Sequence, residues 1–310
     1  MSDLRAAFGA RLKTGEPLAR YTSARVGGPA DYLAVADSQD ELAELVRSAW
    51  RLGFQPFILG GGSNVLVSDS GVRGLVILNH ARRLEFRDAS RPGAGPAVWA
   101  ESGANLGAMA RQCVARGLGG LEWAATVPGT VGGAVFGNAG AHGGDTAGSL
   151  VVAEILQQDG TVRRWSPAEL GFEYRGSRLK RLKAQGRPHV VLAAELALAP
   201  GEPVEMQARA EEFAANRRRT QPPGASLGSM FKNPPGDYAG RLIEAAGLKD
   251  ARVGQAQISP LHANFFVNLG QARAADVLAL IHRAHAAVLK DFGVNLELEV
   301  ELVGEWSGQC

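Results

Sequence analysis

Cysteine is almost absent: 310 residues hold two, Cys113 and Cys310. Two isolated thiols offer neither a metal-ligand spacing nor a disulfide framework, so no metal centre is expected. That usage fits a reducing cytoplasm. An excess of one charge is lacking too. The 33 Lys and Arg residues face 31 Asp and Glu, a formal net charge of +2. This is too little to make nucleic acid or a membrane surface the main partner. No stretch approaches the ~18 apolar residues of a membrane span. The first residues carry Asp3, Arg5, Arg11 and Lys13 with no apolar run before them, which does not read as a secretory signal. Any anionic ligand must therefore be held by a local cluster.

What the sequence has in excess is glycine: 40 residues, concentrated at 60–62 and 129–148. Clustered glycine marks backbone that turns sharply or approaches another group closely. The remaining composition, 45% hydrophobic and 21% charged, is that of a globular protein with a sizeable core. The length allows two or three domains.

Short strands are expected at 31–36, 57–59, 65–67, 75–78, 97–101, 151–157, 161–165 and 190–198. A helix fits between the first two: Ser38 and Glu41 have capping spacing, Leu42, Leu45, Val46 and Ala49 form a stripe, and Gly53 stops it. A second helix fits near 106–116, and 91–96 reads as a Pro/Gly-rich loop. After a boundary at 201–203 come a charged helix at 205–219, a helix at 238–246, a strand at 264–269, a long helix at about 274–292 and a strand at 295–303. The fold class is α+β. The expected division is 1–80 and 81–203, two halves of one strand-rich unit, then 204–310.

The run Gly60-Gly61-Gly62-Ser63-Asn64 lies between two strands. Its main-chain N–H groups could point into one concavity and bind an anion. It lacks the lysine of a P-loop, and an apolar run follows where a dinucleotide fingerprint would start a helix. A plain glycine hairpin is the alternative. Residues 126–144 are nearly all small, apolar or glycine. Such backbone can lie flat against a planar ligand such as isoalloxazine, or form a tightly turned buried loop.

These two runs resemble the FAD-contacting stretches of the vanillyl-alcohol-oxidase (PCMH) type of flavin fold. Thr22-Ser23-Ala24-Arg25-Val26-Gly27-Gly28-Pro29-Ala30 resembles the opening motif of the UDP-N-acetylenolpyruvoylglucosamine reductase (MurB) family within it. Four further segments match that family in order: 174–177, 228–234, 259–265 and 296–300. The resemblance implies non-covalent FAD held by Gly60, Gly61, Gly62, Ser63, Asn64, Pro128, Gly129, Thr130, Gly132, Gly133, Asn138 and Gly140. No histidine lies at 60–64 to attach a flavin. It also implies NADPH as co-substrate and an enolpyruvyl UDP-sugar as substrate, reduced for peptidoglycan synthesis by a cytoplasmic monomer. The substrate-facing part would be 204–310.

Adding hydride to an enolpyruvyl double bond develops enolate charge, which needs an electrophile, and then a proton from a positioned acid. The resemblance implies Arg175 as the electrophile, Ser229 as the proton donor and Glu299 as its partner. A protonated Glu299 would polarise the enolate better, which requires burial. It implies Tyr174, Arg218, Lys232 and Asn233 as substrate contacts. Taken alone, each has a plainer reading. Arg175 lies among Arg178, Lys180, Arg181 and Lys183, an ordinary solvated face, and Ser229 could be a turn hydroxyl. Glu297, Glu299 and Glu301 would share one strand face, with motif position selecting Glu299. Residues 217–219 could simply favour a helix C-terminus. His262 is as readily a packed or capping residue as a substrate contact.

The sequence departs from the family pattern in places. Gly176 follows Arg175 where a bulkier polar residue is common, and His142 stands where tyrosine is frequent. No tyrosine-bearing loop of the longer class is visible, so the chain resembles the shorter (type II) class. Two other functions remain open to these residues: an oxygen-using sugar or hydroxy-acid oxidase on the same fold, and a non-catalytic flavin or nucleotide-binding module.

Overall fold

The computed structural model describes residue 5 and residues 8–88 and 95–306. Part of the expected loop at 91–96, and Cys310, lie outside the described residues. The chain forms two compact units, neither continuous in sequence. The first comprises Met1–Lys13, Leu33–Gly61 and Leu75–Asn216; the second comprises Thr14–Tyr32, Gly62–Gly74 and Arg217–Cys310. The expected boundaries at 80 and 203 do not coincide with the ends of these units. One reason is that strand Val65–Val67 pairs in parallel with Glu301–Val303, which draws 62–74 into the second unit.

The first unit is built on an antiparallel sheet in the order Val162–Trp165, Leu150–Leu156, Val190–Ala197, Ala97–Glu101, Leu84–Arg87. The central strand Val190–Ala197 is buried along nearly its whole length. The helix Gln39–Arg51 begins where Ser38 Oγ accepts from Glu41 N at 3.2 Å. Its Leu42, Leu45, Val46 and Ala49 are all buried, and each of the larger ones contributes about 2 kcal/mol. A core running from Val98 to Ala210 includes Met109, Trp123, Val135 and Leu179.

The second unit has a smaller antiparallel sheet: Ala225–Ser229, Phe265–Asn268, Ala256–Ile258, Arg252–Val253. The long helix Ala274–Phe292 buries Val277, Leu280, Ile281, Ala284 and Val288 in its core. Asp69 accepts from Ala274 N at 2.8 Å and Ala275 N at 2.9 Å, a carboxylate at the positive end of the helix. Gly293, with φ +68°, ends it. Among the described residues no helix is long and apolar enough to cross a membrane.

The expected strand at 295–303 is shortened to Glu301–Val303. Before it, the chain bonds a different neighbour through one isolated antiparallel bridge, Phe231 with Leu298. Glu299 N donates to Met230 O, and Glu301 N already donates to Asn64 O. The change of partner bends the chain at 299–300, so the three glutamates do not share one strand face. Glu297 is exposed, while Glu299 and Glu301 are half-buried.

Candidate active site

In the first unit the two glycine runs meet. A Cβ on Gly60 would lie 2.6 Å from Thr130 Oγ1, and one on Gly61 3.1 Å from Gly129 Cα. Close backbone approach, more than turning, explains these two residues. Of the three consecutive glycines only Gly62 has positive φ, +59°, so the change of hand that an anion nest needs is confined to the Gly61–Gly62 step.

The run after Gly129 contains a short helix, Val131–Gly137, which the glycine content conceals. Thr130 Oγ1 accepts from Gly133 N, Val131 N donates to Ala104 O, and Gly132 N donates to Ser102 O. The first N–H groups of that helix are thus bonded within the protein, which leaves no phosphate seat there. What is presented outward is main chain with almost no side chain: Gly61, Pro128 and Gly133 are exposed. A surface bare of Cβ groups fits a broad planar ligand such as a flavin ring.

Asn138 ends this helix in a left-handed conformation, φ +47°. Its Nδ2 donates to Glu173 O at 3.0 Å and to Asp145 Oδ2 at 3.3 Å, and its Oδ1 accepts from Ala147 N at 3.0 Å. Arg175 also has positive φ, +55°, a conformation that costs a non-glycine residue roughly 1–3 kcal/mol. Its Nη1 donates to Gly140 O at 3.0 Å. Tyr174, 57% exposed, has the Arg175 guanidinium 5.7 Å from its ring centre. Asn138, Gly140, Tyr174 and Arg175 are therefore one neighbourhood. Next to it, His142 stacks on Phe213 at 4.2 Å and 6°.

In the second unit Ser229 ends the strand Ala225–Ser229, in register with Phe265. The next residues are clamped by Asn264, which is 2% exposed. Its Oδ1 accepts from Phe231 N at 2.9 Å, its Nδ2 donates to Phe231 O at 2.8 Å, and its own C=O accepts from Met230 N at 2.8 Å. Sequence reasoning gave Asn264 no role. The available signal was an asparagine entering an apolar strand, where its amide must pair as backbone does.

Glu299 is tied to the Ser229 segment through its N–H to Met230 O, and Asn64 Nδ2 donates to Glu299 O at 3.1 Å. The second half of the glycine turn, the Ser229 segment and Glu299 are thus brought together within this unit. Lys232 Nζ pairs with Glu297 Oε2 at 2.9 Å. Asn233 Oδ1 accepts from Ala239 N at 3.1 Å, at the start of helix Ala239–Ala245. Arg218 is exposed in the last turn of helix Pro203–Thr220; burial of its neighbour Arg217 lowers that guanidinium's pKa. His262 is a packed residue: its Nδ1 accepts from Asn264 N at 3.2 Å, and its ring tilts against Phe265 at 4.8 Å.

Residues 30–166 match the FAD binding domain family, and residues 220–303 match the C-terminal domain of UDP-N-acetylenolpyruvoylglucosamine reductase. The α+β fold and the matched FAD binding domain define an FAD-dependent oxidoreductase. The chain is 47% identical over 294 residues to UDP-N-acetylenolpyruvoylglucosamine reductase of Chloroflexus aggregans, covering 94% of this chain and 97% of that one. It is 48% identical over 297 residues to UDP-N-acetylenolpyruvoylglucosamine reductase 2 of Symbiobacterium thermophilum, covering 95% and 92%. The crystal structure of UDP-N-acetylenolpyruvylglucosamine reductase (MurB) from Thermus caldophilus superposes with a TM-score of 0.77 at 38% identity, covering 94% and 98%. The chain belongs to the UDP-N-acetylenolpyruvoylglucosamine reductase family.

Proposed function

We propose that the chain catalyses NADPH-dependent reduction of UDP-N-acetylglucosamine enolpyruvate to UDP-N-acetylmuramate, a step of peptidoglycan synthesis, as a cytoplasmic monomer. The observation that carries this reading is identity with curated reductases over nearly the whole of both chains. FAD, when bound, supplies hydride transfer. The residues that would hold it, without a covalent link, are Gly60, Gly61, Gly62, Ser63, Asn64, Pro128, Gly129, Thr130, Gly132, Gly133, Asn138 and Gly140.

Reduction of an enolpyruvyl double bond places negative charge on the carbon beside the carboxylate. The Arg175 guanidinium would neutralise that charge as it develops, and Glu299 would polarise the same enolate. The Ser229 hydroxyl would deliver the proton to the carbanionic carbon. Tyr174, Arg218, Lys232 and Asn233 would hold the UDP-sugar, with the Arg218 fork suited to its diphosphate. The division by function into 1–80 and 81–203 for the cofactor and 204–310 for the substrate belongs to the same proposal.

The test is NADPH consumption by the purified yellow protein, with and without the enolpyruvyl UDP-sugar. Strict dependence on the sugar is expected. Oxidation that proceeds equally without it, with oxygen consumed, would place the chain among the oxidases instead.

A further inference from the structure

The turn that carries Arg175 takes a form its own sequence disfavours. Glu173 N donates to Gly176 O at 3.0 Å, and Gly176 N returns a bond to Glu173 O at 3.1 Å, so Tyr174 and Arg175 are the two loop residues. Arg175 occupies the left-handed position, φ +55°, which glycine fills most readily. A glycine stands one residue away, at 176. Sliding the turn by one residue would place that glycine in the left-handed position and relieve the arginine. The turn is not slid, so something outside it sets the register.

Three hydrogen bonds reach the turn from 136–140. Asn138 Nδ2 donates to Glu173 O at 3.0 Å; Arg175 Nη1 donates to Gly140 O at 3.0 Å; Ser177 Oγ donates to Phe136 O at 2.6 Å. Two of them use main-chain acceptors that any residue would offer. Of these three bonds only that of Asn138 brings a side chain to the main chain of the turn; the Arg181 guanidinium pairs with the Glu173 carboxylate, which does not fix the main-chain register. The Asn138 side chain is itself fixed, 6% exposed, with Oδ1 accepting from Ala147 N and a second N–H on Asp145 Oδ2. An amide accepts through its oxygen and donates twice through its nitrogen, which matches these three partners.

We propose that Asn138 is a positioning residue for Arg175: its amide holds the register of the 173–176 turn and so aims the guanidinium at the substrate. The inference rests on the role of Arg175 given above. It assigns Asn138 a task separate from contact with the flavin.

Two variants of the full-length FAD-loaded protein test it. Asn138→Gly keeps the left-handed backbone without strain and removes the amide. Asn138→Asp keeps an acceptor for Ala147 N but has no donor for Glu173 O. Three quantities are read: reoxidation of the reduced flavin by the enolpyruvyl UDP-sugar, the FAD dissociation constant, and amide hydrogen exchange of a peptide covering 173–176. In both variants reoxidation should slow about a hundredfold, the cost of a misplaced group. Exchange in the turn should quicken about tenfold, the loss of one hydrogen bond. Asn138 also stands among the residues that would hold FAD, so reoxidation is read at saturating FAD, and any weakening of the FAD constant should be much smaller than the roughly hundredfold loss of rate. Reoxidation and FAD affinity falling by one common factor, with exchange unchanged, would overturn the proposal in favour of a cofactor contact. Unchanged reoxidation in Asn138→Gly would overturn it too. Wild-type flavin that the sugar cannot reoxidise would sink the proposed function instead, while the exchange measurement would still decide whether Asn138 pins the turn.

Discussion

In the first unit a buried asparagine, Asn138, bonds the carbonyl that closes the Arg175 turn; in the second a buried asparagine, Asn264, bonds both the N–H and the C=O of Phe231, two residues beyond Ser229. The surroundings differ. Asn138 shares its amide with Asp145 and sits in a polar neighbourhood on a strained turn. Asn264 is buried beside Phe231, whose ring meets that of buried Phe266 edge to face at 6.3 Å. A clamp in a polar network can be loosened while the core stays packed, so its loss should appear in rate. A clamp in an apolar core leaves unpaired groups where water cannot reach, so its loss should appear in stability.

The largest expected effect tests the role of the Ser229 segment itself. Ser229→Ala removes the proposed acid, and flavin reoxidation by the sugar should slow about a thousandfold, within the usual range for a general acid. Thermal stability should be nearly unaltered, since Ser229 is only half-buried. Normal turnover in this variant would end the proton-donor assignment. Asn264→Ala should act the opposite way. It leaves Phe231 N–H and C=O unpaired in the core, at about 3 kcal/mol for the two groups. A urea midpoint unchanged from wild type would erase the difference drawn between the two clamps.

The consecutive glycines sharpen the comparison, because they fall on either side of the division between the units. A Cβ at Gly62 would meet Tyr21 O at 2.1 Å, rigid backbone, at φ +59°. A Cβ at Gly60 would meet Thr130 Oγ1 at 2.6 Å, a side chain that can rotate. Gly62→Ala should therefore cost about 2–3 kcal/mol, as backbone strain does. Gly60→Ala should cost about 1 kcal/mol, because the displaced hydroxyl caps the helix Val131–Gly137. Equal losses in denaturant titrations would mean that the run acts as one flexible loop.

Much of this architecture is legible in the residues. The long helix has both the expected stripe and its stop, and its bounds agree with expectation. Strands 57–59 and 65–67 also agree. The helix Val131–Gly137 is hidden because Gly132 and Gly133 each cost about 1 kcal/mol of propensity; the Thr130 cap and burial of Val131, Ala134 and Val135 outweigh that. The segment 295–300 alternates like a strand, yet it changes partner at Glu301, a long-range fact with no local sign. The Arg175 turn is illegible for a related reason. Local preference would seat Gly176, and the group that overrules it, Asn138, lies far away in sequence.

The smallest effect concerns acid. Burial lowers the pKa of His262 in the second unit and Lys249 adds to the shift, while a main-chain hydrogen bond and Glu244 oppose it. Burial and Arg82 lower that of His80 in the first unit, while Asp37, 3.9 Å away, opposes them. Each imidazole takes up a proton less readily in the folded protein than in the unfolded chain, where it does so near pH ~6.5. The unfolded state then binds more protons, so stability is complete above that pH and falls as pH drops from it toward the lowered folded values. His262 is the more enclosed of the two, packed against Gly240 and Phe265. His262→Asn should therefore flatten the fall in urea midpoint between pH 7.5 and 5.5 more than His80→Asn does. Equal flattening would show that solvent reaches both imidazoles alike, and that acid sensitivity does not distinguish the units.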